Sequence, residues 1–211
     1  MSLPNDDLMA YMEDLERRHD EPVLLDMEEK ARAGDFPIVG RVCGVILELL
    51  ARAVGARRVF ELGSGFGYSA YWFARAVGFD GRVHCSDGDA ANAERAREYL
   101  GAAGLLDRVT FHVGDALEAF AAVEGDFDVV YCDVDKGGYP DCWRAARERI
   151  RPGGLWLCDN TLWSGRVTEA EPDAETAAID AHNRLVAADA RYLSVILPAR
   201  DGVLAALRLG G

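Results

Sequence analysis

Lysine is nearly missing from this chain. Of 23 basic residues all but Lys30 and Lys136 are arginine. Arginine stays charged in a protein, whereas a lysine amine can lose its proton. The two lysines are therefore places to look for proton chemistry. Positive charge as a whole is also scarce: 36 acids leave a net charge of -13. An acidic surface repels phosphate backbones and anionic lipid, which argues against nucleic acid and membrane surfaces as partners. Residues 1–36 alone hold eleven acids against four bases, and that excess reads as a solvated face. No apolar run reaches the roughly 20 residues needed to span a bilayer, and the acidic N-terminus has no signal-peptide layout. The expectation is a cytoplasmic protein. Five cysteines, an odd number without C-x-x-C spacing, exclude a disulfide framework and fit a reducing compartment. Cys43, Cys85, Cys132 and Cys158 lie in apolar runs and read as buried small hydrophobes. The four histidines are scattered, which excludes a zinc cluster of ordinary spacing. There is no internal repeat and no low-complexity tract.

What is present is alternation. At 211 residues one domain is the default, with 1–36 as a helical extension and 37–211 as the core. Residues 5–19 carry Leu8, Tyr11, Met12 and Leu15 on one helical stripe, with Asn5 or Asp6 as cap. A second helix is expected over 22–33 and a third over 37–54. These helices either cover a substrate pocket or dimer face, or simply pack on the sheet. From residue 57 strands and helices alternate. Strands are expected at 58–62, 82–86, 109–113, 127–132 and 155–158, with helices between them. The helix after the fourth strand is expected over 140–150. Arg151-Pro152-Gly153-Gly154 reads as a turn, and residues 173–188 as a helix. Residues 192–197 and 203–209 read as a closing hairpin. The fold class is α/β: a Rossmann-like, seven-stranded, mostly parallel sheet with one antiparallel strand.

In such sheets ligands sit at the carboxyl ends of the strands. The first strand runs into Gly63-Ser64-Gly65-Phe66-Gly67-Tyr68-Ser69. Glycines belong there because a Cβ would block the approach of backbone to ligand. The G-x-G-x-G spacing differs from the G-x-G-x-x-G of dinucleotide enzymes, and Glu61 stands two places before the first glycine. Asp87 ends the second strand, where an acid can accept ribose hydroxyls, while Asp89 suits the cap of the next helix. Gly114-Asp115-Ala116 ends the third strand. Asp115 either meets an adenine amino group or only caps a helix. The fourth strand ends in Asp133-Val134-Asp135-Lys136 and the fifth in Asp159-Asn160. Asp133, Asp159 and Asn160 are hard oxygen donors on neighbouring strand ends, a set that suits octahedral Mg²⁺. Tyr139 and Trp163 either stack on an aromatic acceptor or belong to the core.

The glycine turn with its preceding acid resembles the S-adenosylmethionine (SAM) site of class I methyltransferases. Together with Gly114-Asp115-Ala116, Asp133-Val134-Asp135-Lys136-Gly137-Gly138-Tyr139, Arg151-Pro152-Gly153-Gly154 and Asp159-Asn160-Thr161-Leu162-Trp163-Ser164-Gly165, it resembles the cation-dependent O-methyltransferases. That family includes the caffeoyl-CoA and catechol enzymes, and the similarity runs over about residues 35–209 in order. The resemblance implies a SAM site at Glu61, Gly63, Ser64, Gly65, Tyr68, Ser69, Asp87, Gly114, Asp115, Ala116 and Asp133. It implies Mg²⁺, or Mn²⁺ or Ca²⁺, at Asp133, Asp159 and Asn160, with Lys136 as base. It also implies a small vicinal-dihydroxy aromatic substrate and a homodimer. Asp87 stands where glutamate is usual, one methylene shorter, and 35–39 lacks the commoner polar pattern. Two rivals share the core: a tRNA hydroxyuridine O-methyltransferase, which the charge disfavours, and a nicotinamide oxidoreductase.

Overall fold

The computed structural model describes residues 6–210. Three helices come first: α1 (Asp6–Leu15), α2 (Pro22–Ala33) and α3 (Gly40–Ala53). The proposed cap at Asn5 and the side chain of Asp6 lie outside the described residues. Then follow β1 (Arg58–Leu62), α4 (Tyr68–Ala76), β2 (Arg82–Asp87), α5 (Ala90–Ala102), β3 (Val109–Val113) and α6 (Ala116–Ala122). The chain continues through β4 (Phe127–Cys132), α7 (Tyr139–Ala146), β5 (Ile150–Cys158), α8 (Ala174–Ala187), β6 (Tyr192–Leu197) and β7 (Val203–Arg208). The sheet order is β3-β2-β1-β4-β5-β7-β6, with β7 antiparallel to both its neighbours. The strand order reverses between β1 and β4, and a crevice at the carboxyl ends opens at such a reversal.

The inner strands are buried on both faces, and their alternation sorts the core in two. Val59, Val129, Tyr131, Leu155, Leu157, Val203 and Ala205 point to one side and pack with residues of α2, α3, α4 and α5. Phe60, Leu62, Val130, Cys132, Trp156, Cys158, Leu204 and Ala206 point to the other and pack with α6, α7 and α8. The N-terminal segment is no loose appendage. Leu24, Met27 and Ala31 of α2 are buried in the first of these clusters. Helix α2 and the segment that leads into it are also pinned to α3 by charge. Arg41 donates from Nε and Nη2 to Glu28 at 3.1 and 2.7 Å, and also contacts Asp20.

Two expectations are corrected. The helix after β4 stops at Ala146 rather than at 150. The Phe127 N–H donates to the Arg149 carbonyl at 2.7 Å, so pairing with β4 already captures the chain there. The segment 151–154 is not a turn between elements but a bulge inside β5. The register with β4 jumps from Phe127↔Ile150 to Val129↔Leu155, and Gly153 takes φ +75° to absorb the extra residues. Helix α3 also starts three residues after Pro37, and β2 gains Asp87.

Candidate active site

Strands β1, β4 and β5 lie side by side, and their ends finish in step. The Asp133 N–H donates to the Leu62 carbonyl at 2.8 Å, and the Asp159 N–H to the Cys132 carbonyl at 3.2 Å. The residues just past each strand therefore share one edge of the sheet. A cavity of about 890 Å³ opens over that edge. Gly63, Ser64, Gly65, Tyr68, Ser69, Asp87, Gly114, Asp115, Ala116, Asp133, Lys136, Asp159, Asn160 and Trp163 line it. A second cavity of about 1330 Å³ lies against α1, α2 and the start of α3. Phe36, Pro37, Ile38, Val39, Asp159 and Asn160 border both, so the two spaces meet at the ends of β5.

The glycine turn is shaped by what surrounds it. Gly63 (φ +83°) passes so close to β4 that a Cβ would run into the Asp133 carbonyl. Gly65 (φ +50°) faces the Phe36 ring, 3.0 Å from where its Cβ would stand. The first is a backbone clash and the second a clash with a side chain able to move. Gly65→Val is expected to abolish SAM binding while a Gly63 substitution costs the fold. Calorimetric titration with SAM beside a melting curve checks this, and full SAM affinity in Gly65→Val would place the donor elsewhere.

The acids of the cavity are not equally available. Asp87 accepts from the Gly65 N–H at 2.8 Å, the Asp89 N–H at 2.9 Å and the Asn92 amide at 3.1 Å. Three of a carboxylate's roughly four acceptor positions are thus taken. The aspartate holds the turn and keeps about one acceptor position free. Asp115 caps α6, its Oδ1 accepting from the Leu117 and Glu118 N–H groups at 2.9 Å each. Asp89 caps α5, as the sequence suggests.

Two expected contact residues lie behind the wall. Tyr139 is fully buried and lines neither cavity, so it takes the core alternative. Its hydroxyl donates to the Asp159 carbonyl at 3.0 Å and accepts from Lys136 at 2.8 Å. Glu61 is fully buried beneath the glycine turn. Neither of its carboxyl oxygens has a hydrogen-bond partner among the described residues. Burial pushes its pKa up to about 7. Tyr68 borders the cavity, but its hydroxyl donates to Glu28 of α2 at 2.7 Å. The tyrosine therefore ties the glycine turn to the N-terminal helices.

Lys136 is the centre of the polar cluster. Its Nζ donates to Asp133 Oδ1 at 3.1 Å, Tyr139 Oη at 2.8 Å and Asn160 Oδ1 at 2.7 Å. It also stands 5.7 Å from the centre of the Trp163 ring. Asp159 beside it is pushed up to about 7, by burial and by the charge of Asp133. Asp133 and Asn160 already converge on one cation. Two crowded carboxylates and an amide make a donor set that fits a hard dication. Among the described residues no three His, Cys, Asp or Glu side chains gather into a metal cluster. A metal held here would need the Asn160 amide oxygen beside the two carboxylates. Sequence reasoning missed Cys142, Glu175 and Arg200 as residues bordering these spaces. None sits in a motif, and their placement comes from packing.

A doubly wound sheet with a glycine-turn cavity at its reversal point defines a nucleotide-type ligand fold. A family model described as O-methyltransferase matches residues 16–209. A catechol O-methyltransferase of Mycobacterium tuberculosis is 35% identical over 162 residues, covering 75% of this chain and 74% of that protein. A caffeoyl-CoA O-methyltransferase of Eucalyptus globulus is 31% identical, covering 79% and 72%. The O-methyltransferase TomG of Streptomyces achromogenes, solved with SAM, superposes with a TM-score of 0.82 at 31% identity, covering 90% of this chain and 91% of that one. The chain belongs to the O-methyltransferase family, and it is a SAM-dependent enzyme of the caffeoyl-CoA and catechol type.

Proposed function

We propose that the enzyme methylates a small aromatic with two adjacent hydroxyls, in a divalent-metal-dependent reaction. One observation carries the reading: Asp159 and Asn160 border both cavities, and Lys136 bridges Asp133 to Asn160 at that junction. A donor in the glycine-turn cavity and an acceptor in the second space would meet there. SAM, when bound, supplies a methyl already activated by its sulfonium. Gly63, Ser64, Gly65 and Ser69 hold its amino-acid end, over the unpartnered Glu61. Asp87 takes a ribose hydroxyl, and Gly114, Asp115 and Ala116 flank the base.

Asp133, Asp159 and Asn160 would hold Mg²⁺, Mn²⁺ or Ca²⁺. Such a dication supplies Lewis acidity, which lowers the pKa of a coordinated phenol. Lys136 takes the hydroxyl proton at Nζ once that amine is neutral. Trp163 packs its face on the acceptor ring, and Tyr139 steers Lys136 from behind. The acidic surface favours a small molecule over tRNA, and the family over a nicotinamide enzyme. A panel of catechols with SAM, with and without Mg²⁺, beside bulk tRNA, tests the reading. Methylation of tRNA and of no catechol would sink it.

A cytoplasmic homodimer completes the reading. No helix among the described residues is long and apolar enough to cross a membrane. Tyr11 and Leu15, a turn apart on α1, and Leu193 and Val195, on one face of β6, expose pairs of large apolar side chains that a second copy would cover. Light scattering at micromolar concentration is expected to give twice the 23.0 kDa chain mass. A single-chain mass defeats the dimer.

A further inference from the structure

Among the described residues, left-handed backbone outside glycine is confined to one region. Five non-glycine residues among those described have left-handed φ: Asp35, Asn160, Trp163, Ser164 and Arg200, between +47° and +54°. All five line one or other of the two joined cavities. Left-handed residues with a Cβ cost free energy and persist where the surroundings force them, commonly at ligand clamps. Asn160 and Trp163 already have roles in the proposed reaction. Arg200 has none.

Arg200 sits in the β6–β7 turn, and that turn is laced to the segment after β5. The Leu162 N–H donates to the Asp201 carbonyl at 2.8 Å, and the Thr161 N–H and hydroxyl both donate to the Gly202 carbonyl at 3.0 Å. The Ser164 N–H donates to the Asp201 carboxylate. The turn therefore moves with Asn160 as one piece. The Arg200 side chain crosses the start of α3, where a Cβ on Gly40 would run into its guanidinium. Nη1 donates to the Ile38 carbonyl at 2.9 Å, the one hydrogen bond of this side chain among the described residues. The other arginines on this space differ. Arg41 is neutralised by Glu28 and Asp20, and Arg17 by Asp14. Arg32, at the end of α2, is exposed as Arg200 is, but no hydrogen bond to the described residues fixes its guanidinium. Arg200 has no ion-pair partner among the described residues, yet its charge is felt at Asp159.

Resting on the catechol reading above, we propose that Arg200 selects an acceptor bearing a carboxylate beyond its dihydroxy ring. The substrate class is a dihydroxy-aromatic acid. A guanidinium fixed by one bond, with donors to spare, matches a carboxylate in the bidentate way. Its rigid tie to Asn160 sets the distance between the anion and the hydroxyls. The ring then enters with its hydroxyls toward Lys136 and its acid toward Arg200. Glu13 and Asp35 also line the space and would repel an acid placed elsewhere.

The test uses the intact enzyme with 3,4-dihydroxybenzoate, its methyl ester, catechol and a catecholamine. Arg200→Gly keeps the left-handed turn without strain, and Arg200→Lys keeps the charge. The ratio of kcat/KM for the acid to that for its ester is expected to fall tenfold or more in Arg200→Gly. Lysine should restore part of that ratio. Calorimetric binding of the acid should weaken in parallel with KM, while kcat moves less. An unchanged ratio in Arg200→Gly overturns the proposal. So does a wild-type preference for the catecholamine, which would put Glu13 and Asp35 in control. Acid binding that depends on Arg200 without turnover of any catechol would instead overturn the reaction and leave the anion site standing.

Discussion

Lys136→Met is expected to lower kcat by about 10² to 10⁴-fold, the usual worth of a positioned general base, with SAM affinity held within a few-fold. The reason lies in what Nζ touches. All three of its donor directions are spent on Asp133, Tyr139 and Asn160, at the junction of the two cavities. None of those partners belongs to the glycine turn. Methionine keeps the length and packing of the side chain and removes the amine. The Tyr139 hydroxyl keeps its bond to the Asp159 carbonyl, so the wall behind the site stays closed. A melting curve close to wild type, with SAM binding by calorimetry, separates lost chemistry from lost structure. Arginine at this position should not rescue, because a guanidinium does not give up its proton in a protein. Wild-type kcat in Lys136→Met would remove the lysine from the reaction.

This lysine was legible in the sequence because it broke a pattern, one of two in a chain of arginines. Strands β1, β3 and β4 were legible to the residue: β1 and β4 are apolar runs that stop where polar residues begin, and β3, an edge strand with no buried residue, is bounded by Arg108 and Gly114. The bulge in β5 was not. Pro152 and two glycines read as a turn, and only pairing with β4 pulls them into a strand. Asp87 was found by its distance from the glycine turn. Its service to Gly65 was hidden, because it depends on the shorter side chain lying back against the loop. Tyr139 followed Lys136 by three residues and looked like part of the pocket. The helix it starts turns it inward instead, against His182. Arg200 had no local signal at all. It reaches the site because β7 inserts between β5 and β6, a long-range pairing that brings the hairpin turn back to Asn160.

The second large effect concerns the metal. Methyl transfer is expected to stop in EDTA and return with Mg²⁺ or Mn²⁺. Two carboxylates and one amide bring the charge at a bound dication to about zero, enough to hold it, and its remaining open positions leave it Lewis-acidic. Asp159→Ala should weaken Mg²⁺ binding, read directly by calorimetry, by about tenfold or more, because a charged ligand is lost. The fold should tolerate this change. Burial and Asp133 already make the Asp159 charge unwelcome, and only its backbone carbonyl serves Tyr139. The amide needs a different substitution. Asn160 has φ +54°, so alanine there would add backbone strain to the lost ligand. Asn160→Gly removes the amide without that strain and should cost less Mg²⁺ affinity than Asp159→Ala. SAM affinity without metal should survive both variants, since the glycine turn and Asp87 are untouched. If EDTA-treated enzyme keeps full activity, Lys136 works without a metal. If Asp159→Ala binds Mg²⁺ as tightly as wild type, the cation is held by other residues.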